Sequence, residues 1–168
     1  EMIFGHLMTS TNYKKSEKKI VGGKNGFGVK LIFIYSKWAK IETVDHIRKK
    51  KYVQEFKNNL DILEKPKITK ATSAKPYVKI SFLPDYERFG SDGITDDMFN
   101  LFKKRTFDIA AVTDKSVKVR FNHQMVPVRS LEQYINLHIG EKSETKRVFE
   151  TANARWEYAV CLSPVDEF

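Results

Sequence analysis

The chain has 168 residues, 41% of them hydrophobic and 30% charged, the proportions of one globular domain and a little more rather than of a disordered segment. Lys and Arg number 30 against 21 Asp and Glu, a formal net charge of +9, which suits a polyanion such as nucleic acid or a nucleotide phosphate as well as it suits solubility alone. No stretch approaches the ~20 apolar residues of a membrane-spanning helix, a single Cys161 excludes an internal disulfide and a four-thiolate zinc site, and no apolar signal segment opens the chain.

The opening, Met2–Met8, is apolar and runs into polar Thr9-Ser10-Thr11-Asn12-Tyr13; the lysines between Lys14 and Lys19 predict a solvated loop. Gly22-Gly23-Lys24-Asn25-Gly26-Phe27-Gly28, followed directly by apolar residues to Tyr35, describes a flexible loop feeding a helix, although Phe33 and Ile34 would also fit a strand. Ala39–Asp45 and Tyr52–Phe56 read as paired strands joined by a basic turn at His46–Lys51. Lys65–Lys75 predicts a strand fragment plus a loop. Tyr77–Leu83 alternates as a clear strand that Pro84-Asp85 stops.

Thr95, with Asp96 and Asp97 behind it, predicts a helix N-terminus, because short polar and acidic groups satisfy free backbone N–H groups. Met98, Leu101, Phe102 and Ile109 then mark its expected core face, to about Ala111. Val117–Phe121 and Gln124–Val128 are predicted strands around a turn at Asn122-His123. Ser130 with Gln133 fits a capping box opening a second helix to about His138. Arg147–Glu150 and Trp156–Leu162 close the chain as strands, with Trp156, Tyr158, Val160 and Leu162 expected on one buried face and Cys161 on the outward side. There is no internal repeat, and the sum is α+β with mixed sheets.

The glycine cluster is the strongest chemical feature. Gly23-x-x-Gly26-x-Gly28 with Lys30 offers bare backbone N–H groups, no Cβ to obstruct close approach, and a cation within one turn, which phosphate oxygens require. Neither a P-loop nor a dinucleotide fingerprint matches its spacing, and such a cluster also serves as an ordinary turn. Taken with Ile3-Phe4-Gly5-His6-Leu7-Met8-Thr9-Ser10-Thr11-Asn12-Tyr13 before it, with Phe82-Leu83-Pro84-Asp85, with Arg105-Thr106-Phe107-Asp108-Ile109-Ala110-Ala111, and with Arg155-Trp156-Glu157, the glycine motif resembles the ATPase region of type IIA DNA topoisomerases, in order over nearly the whole chain.

That resemblance implies a partial Bergerat-type ATPase sandwich, a mixed sheet with helices on one face, over residues 1–126, running into the start of a second α+β transducer domain at 127–168. On matching positions it implies that Gly23, Lys24, Asn25, Gly26, Phe27, Gly28, Val29 and Lys30 wrap the triphosphate of ATP, and that Ser10, Thr11 and Asn12 contact ribose and phosphates from the other edge of a lid. Lys24, Phe27 and Val29 stand where the family carries Arg, Tyr and Ala, and Val78 stands where a Thr often lies near the adenine. A catalytic Glu, a Mg²⁺-binding Asn and an adenine-reading Asp would precede Glu1, so no catalytic residue and no metal ligand is assigned within this stretch. The whole enzyme would be an ATP-hydrolysing DNA topoisomerase II, a homodimer acting on double-stranded DNA, with no membrane role. It would work in the nucleus or, for a viral source, in a viral replication compartment in the host cytoplasm. The alternative is a non-catalytic basic nucleic-acid-binding module or a truncated nucleotide-binding module.

His6, His46, His123 and His138 show no metal-ligand pairing, and Cys161 has no His beside it to activate a nucleophile. Arg48-Lys49-Lys50-Lys51 reads either as a solvated turn or as a DNA contact. The aromatics alternate inward along the strands and read as core rather than as a stacking platform for single strands.

Overall fold

A computed structural model describes residues 1–14, 16 and 23–163. Most of the expected Lys14–Lys19 loop and the residues Ile20–Gly22 lie outside the described residues. The chain forms two compact units, Glu1–Gly93 and Ile94–Phe168.

The first unit opens with a single helical turn, α1 (Met2–Gly5), and the glycine loop leads into α2 (Gly28–Ile34). The helix there follows from its backbone: Lys30 and Leu31 N–H both return to the Phe27 carbonyl at 3.0 Å. A sheet follows, built from β1 (Ser36–Asp45), β2 (Lys50–Lys57), β3 (Ile62–Leu63), β4 (Lys67–Lys70) and β5 (Tyr77–Pro84). The spatial order is β3-β2-β1-β5, with β4 also on the free edge of β2. All the pairings are antiparallel.

Register separates two faces. Ala39 faces Phe56 and Phe82 across the ladders, and Ile41 faces Gln54 and Ile80. Ala39, Ile41 and Phe56 form a buried core with Phe33 of α2, and Phe4, Leu60 and Leu63 pack around it. The Phe33 ring lies 5.0 Å from Phe56 and 5.9 Å from Phe4, separations at which aromatic pairs add to simple burial. On the opposite face Glu42 pairs with Lys51 at 3.1 Å and Lys40 at 3.4 Å. Strand alternation therefore divides apolar from charged residues as expected.

The alternation does not bury β5. Val78, Ile80 and Phe82 are 66%, 40% and 47% exposed, because β5 is an edge strand and the helices of this unit lie over Ala39 and Ile41 instead. A 3₁₀ turn, Tyr86–Phe89, follows. At its start the buried Asp85 carboxylate accepts from Asn59 Nδ2 at 3.1 Å and meets Lys37 at 3.6 Å.

The second unit contains α3 (Asp96–Val112), a two-stranded ribbon of β6 (Arg120–Phe121) and β7 (Gln124–Met125), α4 (Leu131–Ile139), and a second ribbon of β8 (Arg147–Asn153) and β9 (Trp156–Cys161). Both helix starts form as their sequences predict: Thr95 Oγ1 accepts from Met98 N–H at 3.2 Å, and Ser130 Oγ accepts from Gln133 N–H at 3.3 Å. Gln133 reaches back to the N–H of Arg129, one residue outside the cap, at 2.8 Å. The strands predicted over Val117–Phe121 and Gln124–Val128 shorten to two residues each around Asn122-His123, where both φ angles are positive (46° and 66°).

Two burial expectations fail here. The core of this unit is Ala110, Ala111, Val126 and Val128, with Phe107, Val119, Phe121 and Tyr134 against it. At 100° per residue these α3 positions lie on the far side of the helix from Met98, Leu101, Phe102 and Ile109; Leu101, Phe102 and Ile109 are more than half exposed. The two alanines let Val126 and Val128 approach closely, which larger side chains could not. Trp156, Tyr158, Val160 and Leu162 are 67%, 41%, 62% and 91% exposed. A two-stranded ribbon has two faces and α4 packs on only one of them, which carries Ala159 and half-buried Cys161. Cys161 therefore faces inward, not outward.

Candidate nucleotide-binding site

Three hydrogen bonds join the segment Thr9–Tyr13 to the loop Gly23–Lys30, and a fourth closes the loop on itself. Lys30, only 2% exposed, donates from Nζ to Thr9 Oγ1 at 2.5 Å and to the Gly26 carbonyl at 2.6 Å. Asn12 Nδ2 donates to the Gly23 carbonyl at 2.7 Å, and the Tyr13 hydroxyl donates to the Asn25 carbonyl at 3.1 Å. Ser10 Oγ accepts from Asn12 N–H at 3.0 Å, closing a tight turn. Buried cations need such partners, since an unpaired ammonium would be costly away from water.

These contacts bring together the residues expected from sequence. Ser10 and Asn12 are half-buried at the seam, while Thr11, Gly23, Lys24, Asn25, Phe27 and Gly28 are exposed around it; Gly26 and Val29 are half-buried. Lys30 differs from a free phosphate-seeking lysine: its ammonium is folded back into the loop, where it anchors Gly26 and Thr9. Thr9 and Tyr13 were not among the expected site residues, yet they supply two of the three ties. Their position beside Ser10–Asn12 was the available signal.

Two glycines of the loop do different work. Gly26 has φ +68°, and a Cβ there would sit 3.2 Å from Lys30 Nζ and 3.2 Å from Ser10 N. Any side chain there would strain the left-handed backbone and press on both neighbours. At Gly28 and at Gly23 an added Cβ would meet nothing within 4 Å. Their lack of side chain therefore leaves open space over the loop amides rather than relieving a clash.

The cavity of the second unit is not charged to hold a polyphosphate. The second unit holds an open cavity of about 740 Å³ between the end of α3, the start of α4 and the β8–β9 ribbon. Lys115, Arg129 and Arg155 line it, but so do Asp114, Glu132 and Glu157, so its charge is balanced. Among the described residues no three His, Cys, Asp or Glu side chains are grouped to hold a metal ion, and no helix is long and apolar enough to cross a membrane.

No protein-family model matches the chain. Individual proteins match along almost all of it. The chain is 46% identical over 167 residues to the DNA topoisomerase 2 of Acanthamoeba polyphaga mimivirus, covering 99% of this chain and 13% of that protein. It is 44% identical over 169 residues to the DNA topoisomerase 2 of Arabidopsis thaliana, covering 97% of this chain and 12% of the relative. Among solved structures, the ATPase region of Saccharomyces cerevisiae topoisomerase II superposes with a TM-score of 0.88 at 37% identity, over 96% of this chain and 43% of the other. The ATPase and transducer domains of DNA topoisomerase II from Balamuthia mandrillaris give 0.87 at 36% identity, over 98% and 41%. The chain thus spans only 12–13% of the length of the two curated relatives.

Proposed function

Because the chain belongs to the DNA topoisomerase 2 family over the stretch it spans, matching its ATPase region, we propose that it supplies the phosphate-binding side of an ATP site. The protein containing it would pass one DNA duplex through a transient double-strand break in another, as a homodimer using ATP and Mg²⁺. Residues 1–126 would complete the ATPase domain and 127–168 would begin the transducer domain. The place of action would be a nucleus or a viral replication compartment.

The observation that carries this reading is the seam between Thr9–Tyr13 and Gly23–Lys30, fixed by the buried Lys30 ammonium. Gly23, Lys24, Asn25, Gly26, Phe27 and Gly28 would hold the phosphates through backbone N–H groups, which the missing Cβ atoms at Gly23 and Gly28 leave accessible. Val29 and Lys30 would fix the loop from behind. Ser10, Thr11 and Asn12 would position ribose and phosphate from the other side of the seam. When bound, ATP supplies the phosphoanhydride whose hydrolysis drives the conformational cycle. Lys24 keeps a positive charge near the phosphates but lacks the bidentate fork of an arginine.

Limited proteolysis of the full-length protein tests this. A non-hydrolysable ATP analogue should protect cleavage sites between Lys14 and Gly28, and duplex DNA alone should not. Protection by DNA but not by the nucleotide would replace the reading with a basic nucleic-acid-binding module.

A further inference from the structure

We propose that the edge of the first sheet formed by the Asp45–Lys50 turn and β4 is a contact surface for the phosphate backbone of duplex DNA, separate from the glycine-loop site. The first observation is where the charge lies. Glu1–Gly93 carries 19 Lys and Arg against 10 Asp and Glu, whereas Ile94–Phe168 carries 11 against 11. The whole excess of +9 therefore belongs to the first unit.

Pairing then concentrates that excess. The β2–β4 register sets Lys50 directly opposite Lys70, with Lys67 opposite Val53 at the other end of the ladder. Like charges directly opposed on antiparallel strands repel. Asp45 stands opposite Lys50 across the β1–β2 ladder, but its carboxylate holds Arg48 at 2.7 Å, and Glu42 holds Lys51 at 3.1 Å. Lys49, Lys50, Lys67 and Lys70 are exposed and have no ion-pair partner among the described residues. The stretch from Lys65 to Lys75 adds two more lysines and contains no acidic residue. Lys49 also sits at φ +51°, a left-handed position that glycine or asparagine would occupy at lower cost. Four ammoniums without an ion pair thus stand along one short edge, and two of them, Lys50 and Lys70, repel across the ladder.

A polyanion relieves that repulsion. Lys67 and Lys70 stand three residues apart on an extended edge strand, roughly 10 Å and on opposite faces of it, so their long stems flank an edge along which duplex DNA carries about six phosphate charges. Lysines on flexible stems suit such charges without selecting a base sequence. The choice of duplex DNA among polyanions rests on the proposed function; the basic edge itself does not.

The test is duplex binding by the full-length protein, measured against salt concentration with a linear mixed-sequence duplex. The variant combines Lys49→Gly with Lys50→Thr, Lys67→Thr and Lys70→Thr, replacements that suit the local backbone. A control combines Lys115→Thr, Lys118→Thr, Lys142→Thr and Lys146→Thr in the second unit, removing equal charge. The edge variant should bind about 10- to 100-fold more weakly near 0.1 M salt, with a salt slope shallower by about 3 to 4. The control should change far less, and ATP-analogue affinity should stay at the parental value in both. Equal losses in the two variants would mean that only net charge matters and would overturn the inference. Unchanged DNA binding accompanied by aggregation of the edge variant would also overturn it, leaving the lysines as guards against strand-edge pairing. A parent protein that binds ATP analogue but no duplex would defeat the topoisomerase reading itself, and the inference with it.

Discussion

Thr9 and Lys30 stand 21 residues apart, yet the buried Lys30 ammonium donates to the Thr9 hydroxyl at 2.5 Å and, in the same grasp, to the Gly26 carbonyl at 2.6 Å. Thr9 Oγ1 in turn donates toward the carbonyls of His6 and Met2, at 3.1 and 3.2 Å. This cation thus ties the glycine loop to the chain that precedes it, beside the bonds from Asn12 and Tyr13.

Lys30→Met keeps the aliphatic stem and removes those donors, taking their charged partner from the Gly26 carbonyl and the Thr9 hydroxyl. Charge-assisted hydrogen bonds of this kind contribute about 1.5–3 kcal/mol, so ATP-analogue affinity should fall roughly tenfold to a hundredfold. Isothermal titration on the full-length variant checks this, and unchanged affinity would show that the seam does not organise the site.

Gly26→Ala and Gly28→Val should fail in different ways. At Gly26 the left-handed φ of +68° and the 3.2 Å approaches to Lys30 Nζ and Ser10 N should lower stability by about 1–2 kcal/mol. At Gly28 an added Cβ meets nothing within 4 Å, so valine should fold near the parent, but its side chain should occupy room required by phosphate. Thermal melts and nucleotide titration on both variants should separate the two effects, with Gly28→Val melting near the parent while binding no ATP analogue.

Acid should unfasten two carboxylate anchors. Tyr134 donates its hydroxyl to Asp108 Oδ1 at 2.5 Å, and Lys104 and Arg105 meet Oδ2 at 3.0 and 2.9 Å. The Tyr134 hydrogen bond first, then the bond from Lys104, holds Asp108 below its ordinary range and pushes the Tyr134 phenol up. The Arg48 N–H and guanidinium bring Asp45 down to about 2. A carboxylate depressed on folding stabilises above its unfolded value near 4 and loses that contribution as pH falls through its folded value. The urea midpoint should accordingly drop between about pH 4 and pH 2, and Asp108→Asn should be less stable at pH 7 with a flatter acid limb.

His123 occupies the second position of a two-residue hairpin with φ +66°, beside Asn122 at +46°. Such turns favour Asn-Gly. His123→Gly should raise stability by about 0.5–1 kcal/mol, read as a higher melting temperature; a loss would mean that the imidazole makes a contact worth more than the strain.

Much of the local structure was written in short-range chemistry. Thr95 and Ser130 cap their helices through groups three residues away, and the β1–β2 hairpin follows from alternation on either side of a charged turn. The candidate site was legible to a similar depth: glycine spacing, the polar run Ser10–Asn12 and Lys30 all appear at the seam. What pattern could not assign was Lys30's role as a buried anchor and the ties made by Thr9 and Tyr13, because those depend on two segments meeting across residues that carry no periodic signal.

Sequence alone determined which residues share a face, since 3.6- and 2-residue periods are properties of the backbone. Only tertiary structure decided which face is buried. Leu101, Phe102 and Ile109 align on α3, and Trp156, Tyr158 and Val160 align on β9, but burial requires a neighbour, and in this unit the neighbours lie against Ala110, Ala111 and Ala159. The same holds for charge. A run of lysines is visible in any sequence, but Lys50 opposes Lys70 only because β4 folds back onto β2.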